Sequence, residues 1–300
     1  MLVGETRNYT GSLSLTEELP EYRYDLSETD IGTMVAALTG RIALSLAAQP
    51  EATETARYVI HEIAGTDPIS NIGRTIECQV FEQALGNTAE IMADEYGPYE
   101  PESTFFIVHD TFDQDVLGVI RIAGEAPIGF KTLVDLSDSS RVKHAGIPLP
   151  LPQLDDFFTQ HGIEPDKTID VMTLAVPPKH RGLRSTDIMG TLYHQTIDYS
   201  LRHDINHWFM MLDEHAYGII NSIGVPLEPV AGIGPVEYLG SEKTYPLFVN
   251  VARLTDSMEA RELALKNAIA AGEKKHATLR LNRGMLRGEN FRGQLQKIIF

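Results

Sequence analysis

The sequence predicts an α/β (α+β) fold in which helices cover both faces of one mixed sheet. Its composition is that of a folded globular chain, with 43% hydrophobic and 22% charged residues among 300. After a helical N-terminal region, a β-rich hairpin leads into the order strand, helix, strand, helix, strand, strand. That order is typical of a mixed sheet with helices packed against it.

The first part of the chain, residues 1–68, is predicted to be a helical extension. Ser27-Glu28-Thr29-Asp30 can cap a first helix. A second helix is expected over Glu51–Ile63. A third is expected over Ile69–Ala93, because apolar residues recur there at helical spacing. No function for the two helices of the extension follows from their residues.

The central part, 69–254, carries the predicted sheet. Thr104–His109 and Val116–Ile122 are rich in β-forming residues and predict a hairpin. Short helices and a mobile loop near Ser137–Pro152 are expected next, because prolines recur in this segment. The later elements are expected to be strands at Thr168–Val176, His207–Leu212, Val230–Leu239 and Thr244–Arg253, with helices at Leu183–Arg202, Asp213–Ile223 and Ser257–Ala271.

The last part, 255–300, is predicted to be a helix followed by a basic tail. It holds nine Lys/Arg and five Asp/Glu, a net charge of +4 in a chain whose total is −17. Two readings stay open. The tail can form a solvated helix packed on an acidic body, or it can dock an acidic carrier protein by charge complementarity.

Composition also limits the classes of function. The acidic balance argues against nonspecific binding to nucleic acid or to anionic membranes. Cys78 is the single cysteine, so no intramolecular disulfide can form, which fits a reducing compartment. The N-terminus has no signal-peptide pattern, and Ile31–Ala48 is too short and too polar to span a bilayer. We expect a bacterial-type protein of the cytoplasm.

A basic turn lies between the strand Thr168–Val176 and the helix that begins near Leu183. It reads Lys179-His180-Arg181-Gly182-Leu183-Arg184-Ser185-Thr186. Unpaired backbone N–H groups and the positive end of the helix dipole meet at such a position, so an anion binds readily there. The turn therefore predicts a phosphate site, with an ordinary polar helix start as the alternative.

The order of elements and the basic turn resemble the GNAT acyltransferases. Val176-Pro177-Pro178-Lys179-His180-Arg181-Gly182 resembles their thioester-binding motif, and Leu117-Gly118-Val119-Ile120-Arg121-Ile122 resembles a strand of the acyl-homoserine-lactone synthases. The long-chain N-acyl amino acid synthases are similar too. The resemblance covers roughly Arg74–Arg253. It implies a mostly antiparallel mixed sheet with helices on both faces, an N-terminal helical extension and a C-terminal helix.

The sequence departs from the GNAT pattern at three places. Arg184 and Thr186 stand where the glycine-rich loop has glycines, which predicts that side chains as well as backbone hold the phosphate. The usual leaving-group Tyr is replaced by Ile220, so Tyr217 can serve only if its helix is shifted. Glu77 and Thr173 stand where the lactone synthases have arginines, which argues against lactone synthesis.

The resemblance implies roles for further residues. Asp170 is the first candidate for the base that deprotonates the acceptor amine, and Glu100 and Glu102 are alternatives. The side chains of 170, 172, 174 and 176 are expected to share one face of the strand. The expected donor-binding residues are Leu174, Val176, Arg181, Gly182, Leu183, Arg184, Ser185 and Thr186. Arg121 and Phe81 are candidates for substrate binding, although Arg121 would equally suit an ion pair.

Ten histidines raise the question of a metal site. His203 and His207 are four residues apart, but the first ends a predicted helix and the second begins a strand, so they need not share a face. The chain has no His-Glu-x-x-His motif and no pair of cysteines. We expect no metal. The aromatic and methionine run at Trp208–Met211 is expected to pack in the core, with an acyl tunnel as the alternative.

The expected activity is N-acyl transfer. The donor would be a phosphopantetheine thioester on an acyl carrier protein or coenzyme A, and no permanently bound cofactor is implied. The acceptor would be the amine of an amino acid or a related small metabolite. Two alternatives stay open: an acetyl-CoA-dependent small-molecule N-acetyltransferase, and an inactive GNAT-like module that binds an acyl thioester or a partner protein.

Overall fold

The computed structural model describes residues 21–47, 56–143, 149–291 and 295–299. The helices are α1 Glu28–Ala47, α2 Asn71–Leu85, α3 Ala89–Tyr96, α4 Lys131–Leu136, α5 Leu151–His161, α6 Leu183–Arg202, α7 Glu214–Ser222, α8 Leu254–Ala270 and α9 His276–Arg287. The strands are β1 Tyr58–Ala64, β2 Ser103–Asp110, β3 Asp115–Ala123, β4 Val142–Lys143, β5 Thr168–Ala175, β6 His207–Asp213, β7 Leu227–Pro229, β8 Val236–Tyr238, β9 Ser241–Asn250 and β10 Leu295–Ile299.

One mixed sheet forms the centre of the molecule. Its strand order is β10-β1-β2-β3-β5-β6-β9-β8-β4, and β7 also pairs with β9. Most neighbours are antiparallel; β10 with β1 and β5 with β6 are the parallel pairs among the described strands. This confirms the predicted mostly antiparallel sheet.

Helices cover both faces of this sheet, as predicted. Side chains alternate along β2, so Phe105 and Ile107 pack in the cluster that holds residues of α1 and α2. Phe106 and Val108 point the other way, into the cluster with Ile188 of α6. Strand β2 is therefore buried on both faces, and the molecule has three layers: α1 and α2, the sheet, and α6.

Three predictions of local structure were wrong. The helix expected over Glu51–Ile63 is replaced, in its described part, by strand β1, which pairs with β2 on one side and β10 on the other. The helix expected over Ile69–Ala93 is two helices, because Gly86 at φ 79° ends α2. The strand expected over Val230–Leu239 is limited to β8, Val236–Tyr238, and its first residues form a short 3₁₀ turn instead.

Other predictions fall partly outside the described residues. The expected loop near Ser137–Pro152 includes 144–148, which are outside the description, and β4 occupies part of its described beginning. The hairpin of β2 and β3 and the bounds of α6 agree with the sequence prediction. None of the described helices combines the length and apolar character that crossing a membrane would need.

The basic tail begins as helix α9, and the fold neutralises much of its charge. Arg280 pairs with Asp187 of α6, and Arg287 pairs with Glu262 of α8 at 2.7 Å. Leu281 and Met285 of α9 are buried in the main core. These contacts favour the reading in which the tail packs on an acidic body.

The parallel strands β5 and β6 pair along only part of their length, and this leaves an opening in the sheet. Their pairing runs from Thr168 opposite His207 to Val171 opposite Met210 and stops there, although both strands continue. On its other side β5 keeps pairing with β3 as far as Ala175. A wedge-shaped opening therefore separates the ends of β5 and β6.

Candidate functional site

A cavity of about 630 Å³ occupies the opening between β5 and β6. Helices of both sheet faces contribute to its wall, so the cavity extends to either side of the sheet. This volume lies in the usual range for small-molecule sites. Its wall includes Val80, Phe81, Ala84 and Leu85 of α2, Lys131, Thr132 and Asp135 near the start of α4, Asp170 to Leu174 of β5, Ser185, Met189 and Tyr193 of α6, and Leu212, Asp213, His215 and Ala216 of β6 and α7.

Asp170 is a buried carboxylate on this wall, with 2% of the residue exposed. The backbone N–H of Thr132 donates to its Oδ2 at 2.7 Å, and the Thr132 hydroxyl donates to its Oδ1 at 2.8 Å. Burial raises the pKa of Asp170 to about 6, although the two bonds from Thr132 and the nearby Lys131 oppose the rise. The side chain is therefore fixed in place and titrates near neutral pH.

A second polar group lies at the same end of the cavity. Lys131 Nζ donates to Glu95 at 2.8 Å, to Asp135 at 2.7 Å and to the Tyr238 hydroxyl at 2.7 Å. The Tyr238 hydroxyl donates to Asp135 at 2.6 Å, and Arg141 forms ion pairs with Asp135 and Glu95. We call these five residues the Lys131 cluster. Its two cations and two carboxylates balance, so it adds polarity to the wall without net charge.

The other end of the cavity meets the start of α6. Gly182 precedes this helix at φ 109°, a conformation that glycine adopts without strain. Arg181 lines the cavity and is exposed; its backbone N–H donates to the Pro178 carbonyl, and its guanidinium has no partner among the described residues. Ser185 also lines the cavity, and its hydroxyl donates to the Gly182 carbonyl at 2.6 Å.

The remaining cations of the basic turn are held by carboxylates of the β2–β3 hairpin. Arg184 donates to Asp110 at 2.6 Å. Lys179 and His180 both contact Asp115, at 2.8 and 3.0 Å. The structure therefore separates Arg181, which faces the cavity, from Arg184, which is tied to the hairpin. Gly182, Arg184 and Thr186 are not among the residues that line the cavity, and the side chain of Leu183 lies outside the described part.

Leu174 and Val176 line the cavity, but not on the face of β5 that the sequence predicted. Opposite β3, the register passes from Val171 to Thr173 and leaves Met172 unpaired, as a β-bulge does. Met172 packs in the cluster with Cys78 and Tyr96, whereas Leu174 and Val176 pack with the α6 side. The expectation that 170, 172, 174 and 176 share one face was wrong, because the bulge reverses the alternation.

Arg121 and Glu100 lie in a buried ion network beside the cavity and not on its wall. Both residues are 0% exposed; Arg121 pairs with Glu77 and with Glu100, at 3.0 Å to the latter. Burial would raise the pKa of Glu100, but Arg121, Arg74 and the hydroxyl of Tyr24 outweigh it and hold the pKa below its ordinary value. The contacts of Arg121 correspond to the ion-pair alternative.

This network explains two departures from the lactone-synthase pattern. Glu77 accepts hydrogen bonds from Arg121 and from the Thr173 hydroxyl. Glu77 and Thr173, which stand where the lactone synthases have arginines, therefore contact each other, and Arg121 supplies the cation that pairs with Glu77. A buried cation is present, but its partners are protein carboxylates.

Three other candidates differ in their positions. Phe81 lines the cavity from α2 and is partly buried. Tyr217 stacks on Tyr245 with ring centroids 4.2 Å apart and is not among the lining residues. Glu102 is exposed and does not line the cavity either.

His203, His207 and the segment Trp208–Met211 pack against neighbouring side chains of the fold. His203 stacks on Tyr199, and His207 stacks on Phe248. Within the described parts of the chain, no three or more His, Cys, Asp or Glu residues are grouped as metal ligands would be. Trp208 and Phe209 are buried in the core, while Met211 borders the cavity.

Sequence reasoning missed the Lys131 cluster and the partner of Asp170. Lys131 and Asp135 are four residues apart, which was a local signal for contact on a helix. Nothing local indicated Tyr238 or Glu95, because they come from segments 107 and 36 residues away from Lys131. Thr132 likewise reaches Asp170 across 38 residues.

No protein-family model matches the chain, and no curated protein sequence matches it. Solved structures do match, at low identity. FeeM, an N-acyl amino acid synthase from uncultured soil microbes, is 14% identical, with a TM-score of 0.48 over 70% of this chain and 99% of its own. BjaI, a CoA-dependent acyl-homoserine lactone synthase solved with SAM and isopentyl-CoA, is 13% identical, with a TM-score of 0.40 over 75% and 99%.

A third match is the spermidine N-acetyltransferase SpeG of Vibrio cholerae. It is 9% identical, with a TM-score of 0.35 over 66% of this chain and 95% of its own. All three similarities are distant, with TM-scores below 0.5.

Proposed function

We propose that the protein is an N-acyltransferase that moves an acyl group from a phosphopantetheine thioester to the amine of a small molecule. One observation carries the proposal: a single cavity connects the start of α6 with a buried carboxylate through the opening between β5 and β6. Acyl transfer needs this arrangement, because donor and acceptor must meet at one carbonyl carbon.

The donor would enter from the side of α6. The first turn of this helix has N–H groups without intrahelical partners, and Arg181 adds a cation that is not engaged by any described residue. The pantetheine arm would then lie along the end of β5, where Leu174 and Val176 have no partner on β6. Backbone groups that face this gap are available to its amides.

The number of available cations bears on the kind of donor. Arg184, Lys179 and His180 already have carboxylate partners, which leaves Arg181 for the donor. One guanidinium with the helix N-terminus suits one phosphodiester, as on the pantetheine of a carrier protein. Coenzyme A carries further phosphates, and the turn has no further unpaired cation to bind them. We therefore favour an acyl carrier protein over acyl-CoA.

Asp170 would act as the base for the acceptor. The acceptor binds as an ammonium and must lose a proton to become the neutral amine that attacks the thioester carbonyl. A carboxylate with a pKa of about 6 is ionised at neutral pH and able to take that proton, directly or through water. The new C–N bond forms as the C–S bond breaks, and the thiolate leaves. Because a thiol has a pKa of about 8–9, its departure needs no strong acid, so the placement of Tyr217 away from the cavity is no obstacle.

The apolar part of the wall would hold the acyl chain. Val80, Phe81, Ala84 and Leu85 form one side of the cavity, and Met172, Met189 and Ile219 also border it. Flexible methionines and aliphatic side chains suit an extended hydrocarbon. A medium or long acyl chain therefore fits the cavity better than an acetyl group does.

The test is an acyl-transfer assay with purified protein. Acyl carrier protein and coenzyme A are loaded with acetyl, octanoyl and dodecanoyl groups, and thiol release and N-acyl products are measured with mixed amines. We expect amide products with the longer chains and higher kcat/KM from the carrier protein. Asp170→Asn should lower turnover by roughly 10²–10⁴, while the matched buried control Asp187→Asn, outside the cavity, should retain it.

Three other results would contradict parts of the proposal. Turnover with acetyl-CoA alone would favour the acetyltransferase. Thioester binding without any transfer, in wild type and Asp170→Asn alike, would favour the inactive module. Equal kcat/KM for a long acyl chain on the carrier protein and the same chain on coenzyme A would contradict the preference for a carrier protein.

A further inference from the structure

The acceptor end of the cavity carries carboxylates but offers no cation to a ligand. The charged residues that line the whole cavity, among those described, are Lys131, Arg181, Asp135, Asp170 and Asp213. Arg181 belongs to the turn before α6, on the donor side. Lys131 is therefore the one lining cation on the side of Asp170, and its availability decides which acceptors can bind.

Lys131 has no donor left for a ligand. An ammonium group has three N–H bonds, and those of Lys131 are directed to Glu95, Asp135 and Tyr238. Its charge is also balanced, because Glu95 and Asp135 offset Lys131 and Arg141 within the cluster. A substrate carboxylate placed here would displace a bond and meet two carboxylates at short range.

The start of α4 is occupied as well. A helix N-terminus is a common place for a substrate carboxylate, but here the Thr132 N–H and hydroxyl are bonded to Asp170 itself. The deeper cation Arg121 is fully buried between Glu77 and Glu100 and does not reach the wall. Asp170, by contrast, has no ion-pair partner among the described residues, so its negative charge is unbalanced. Asp213, the remaining lining carboxylate, lies at the end of β6 and accepts a hydrogen bond from the Ala216 N–H at the start of α7.

From this wall we infer that the acceptor is an amine without a free carboxylate. Decarboxylated amino acids, amino alcohols, polyamines and amino-acid amides share this chemistry, whereas free amino acids do not. The ammonium of such a ligand is attracted by Asp170, and nothing else on it needs a cation. A free amino acid brings a second charge that would be buried beside Asp135 without a partner, which is costly.

This inference rests on the proposed function, and its test separates the two. Wild-type protein is assayed with octanoyl- and dodecanoyl-loaded carrier protein and coenzyme A. The acceptors are matched pairs that differ in the carboxylate: tyramine and tyrosine, phenethylamine and phenylalanine, and tyrosine amide as a blocked form. We expect kcat/KM to be on the order of 100-fold higher for the amines and the amide, which is the effect of about 3 kcal/mol. Equal or higher values for the free amino acids would overturn the inference while leaving acyl transfer intact.

Binding decides the matter if no acceptor is turned over. That result would count against the proposed function. Calorimetric titration of tyramine and tyrosine into the same protein then tests the acceptor class alone. Binding of tyramine without tyrosine would support the inference, and binding of tyrosine, or of neither, would overturn it.

Two substitutions test the cause. Asp135→Asn removes one carboxylate from the Lys131 cluster and leaves a net positive charge on the wall, so the preference for tyramine over tyrosine should fall at least about tenfold. Tyr238→Phe frees one N–H of Lys131 without changing the charge and should lower the preference by a smaller factor. Asp187→Asn, a matched buried aspartate outside the cavity, should leave it unchanged. An unaltered preference in folded Asp135→Asn and Tyr238→Phe would overturn the explanation.

Discussion

Asp170→Asn should separate catalysis from stability. The folded protein raises the pKa of Asp170 from 3.8 to about 6, and about 2 pKa units correspond to roughly 3 kcal/mol. Because the folded-state pKa is raised, ionised Asp170 costs stability above about pH 6, and the cost disappears as the pH falls through 6 to below 3.8. Asparagine is neutral throughout and can still accept from the Thr132 N–H and donate to its hydroxyl.

The expected result is therefore an inactive protein that is as stable as the wild type or more so. In urea unfolding at pH 7.5, the variant should gain up to about 3 kcal/mol, and at pH 4 the difference should shrink toward zero. Turnover should fall by roughly 10²–10⁴, as for loss of a general base. A variant that loses more than about 1 kcal/mol at pH 7.5, with the same loss at pH 4, would show that Asp170 is a structural partner and would refute the reasoning.

Further outcomes test other parts of the structure. In the wild type, kcat/KM for acyl transfer should rise with pH through about 6, and a flat profile that persists down to pH 5 would exclude Asp170 as the base. Arg181→Gln should raise the KM for donor about tenfold, as expected for a lost phosphate contact, whereas the matched Lys179→Gln in the same turn should change it little; equal effects would contradict the separation of the two cations. Arg121→Met should destabilise the fold by about 3–5 kcal/mol in urea unfolding, because it leaves Glu77 buried without its cation, while Glu100 keeps Arg74; a stable variant with a raised KM for acceptor would instead make Arg121 a substrate ligand. Gly118→Ala should cost about 1–3 kcal/mol, because a Cβ there would lie 2.6 Å from Ile188 Cγ2 and 3.2 Å from the Ala175 carbonyl oxygen, whereas Gly124→Ala meets nothing within 4 Å and should be neutral.

The sequence predicted those elements whose determinants are local. Gly182 marks the turn before helix α6, and apolar residues follow at regular helical spacing. The predicted bounds of α6 therefore agree with the structure. The β2–β3 hairpin has two β-rich runs around a polar turn. Strand β1 was missed because its stability comes from partners at both edges, and one of them, β10, lies more than 230 residues away.

The candidate site was predictable to a similar degree. Asp170 was proposed from the resemblance to the lactone synthases and Arg181 from the basic turn before a helix, and both line the cavity. The bulge at Met172 could not be predicted, because it depends on the register with β3. The Lys131 cluster was hidden for the same reason: its members meet only when α3, α4, β4 and β8 come together.

The central claim is that donor and acceptor meet in the opening between β5 and β6. A crystal structure with a non-hydrolysable thioether of dodecanoyl-pantetheine phosphate would test it most directly. We expect the sulfur in the gap between Leu174 and Leu212, the phosphate at Arg181, and the chain along Phe81. A ligand bound elsewhere, or one whose sulfur lies outside this gap and away from Asp170, would contradict the account.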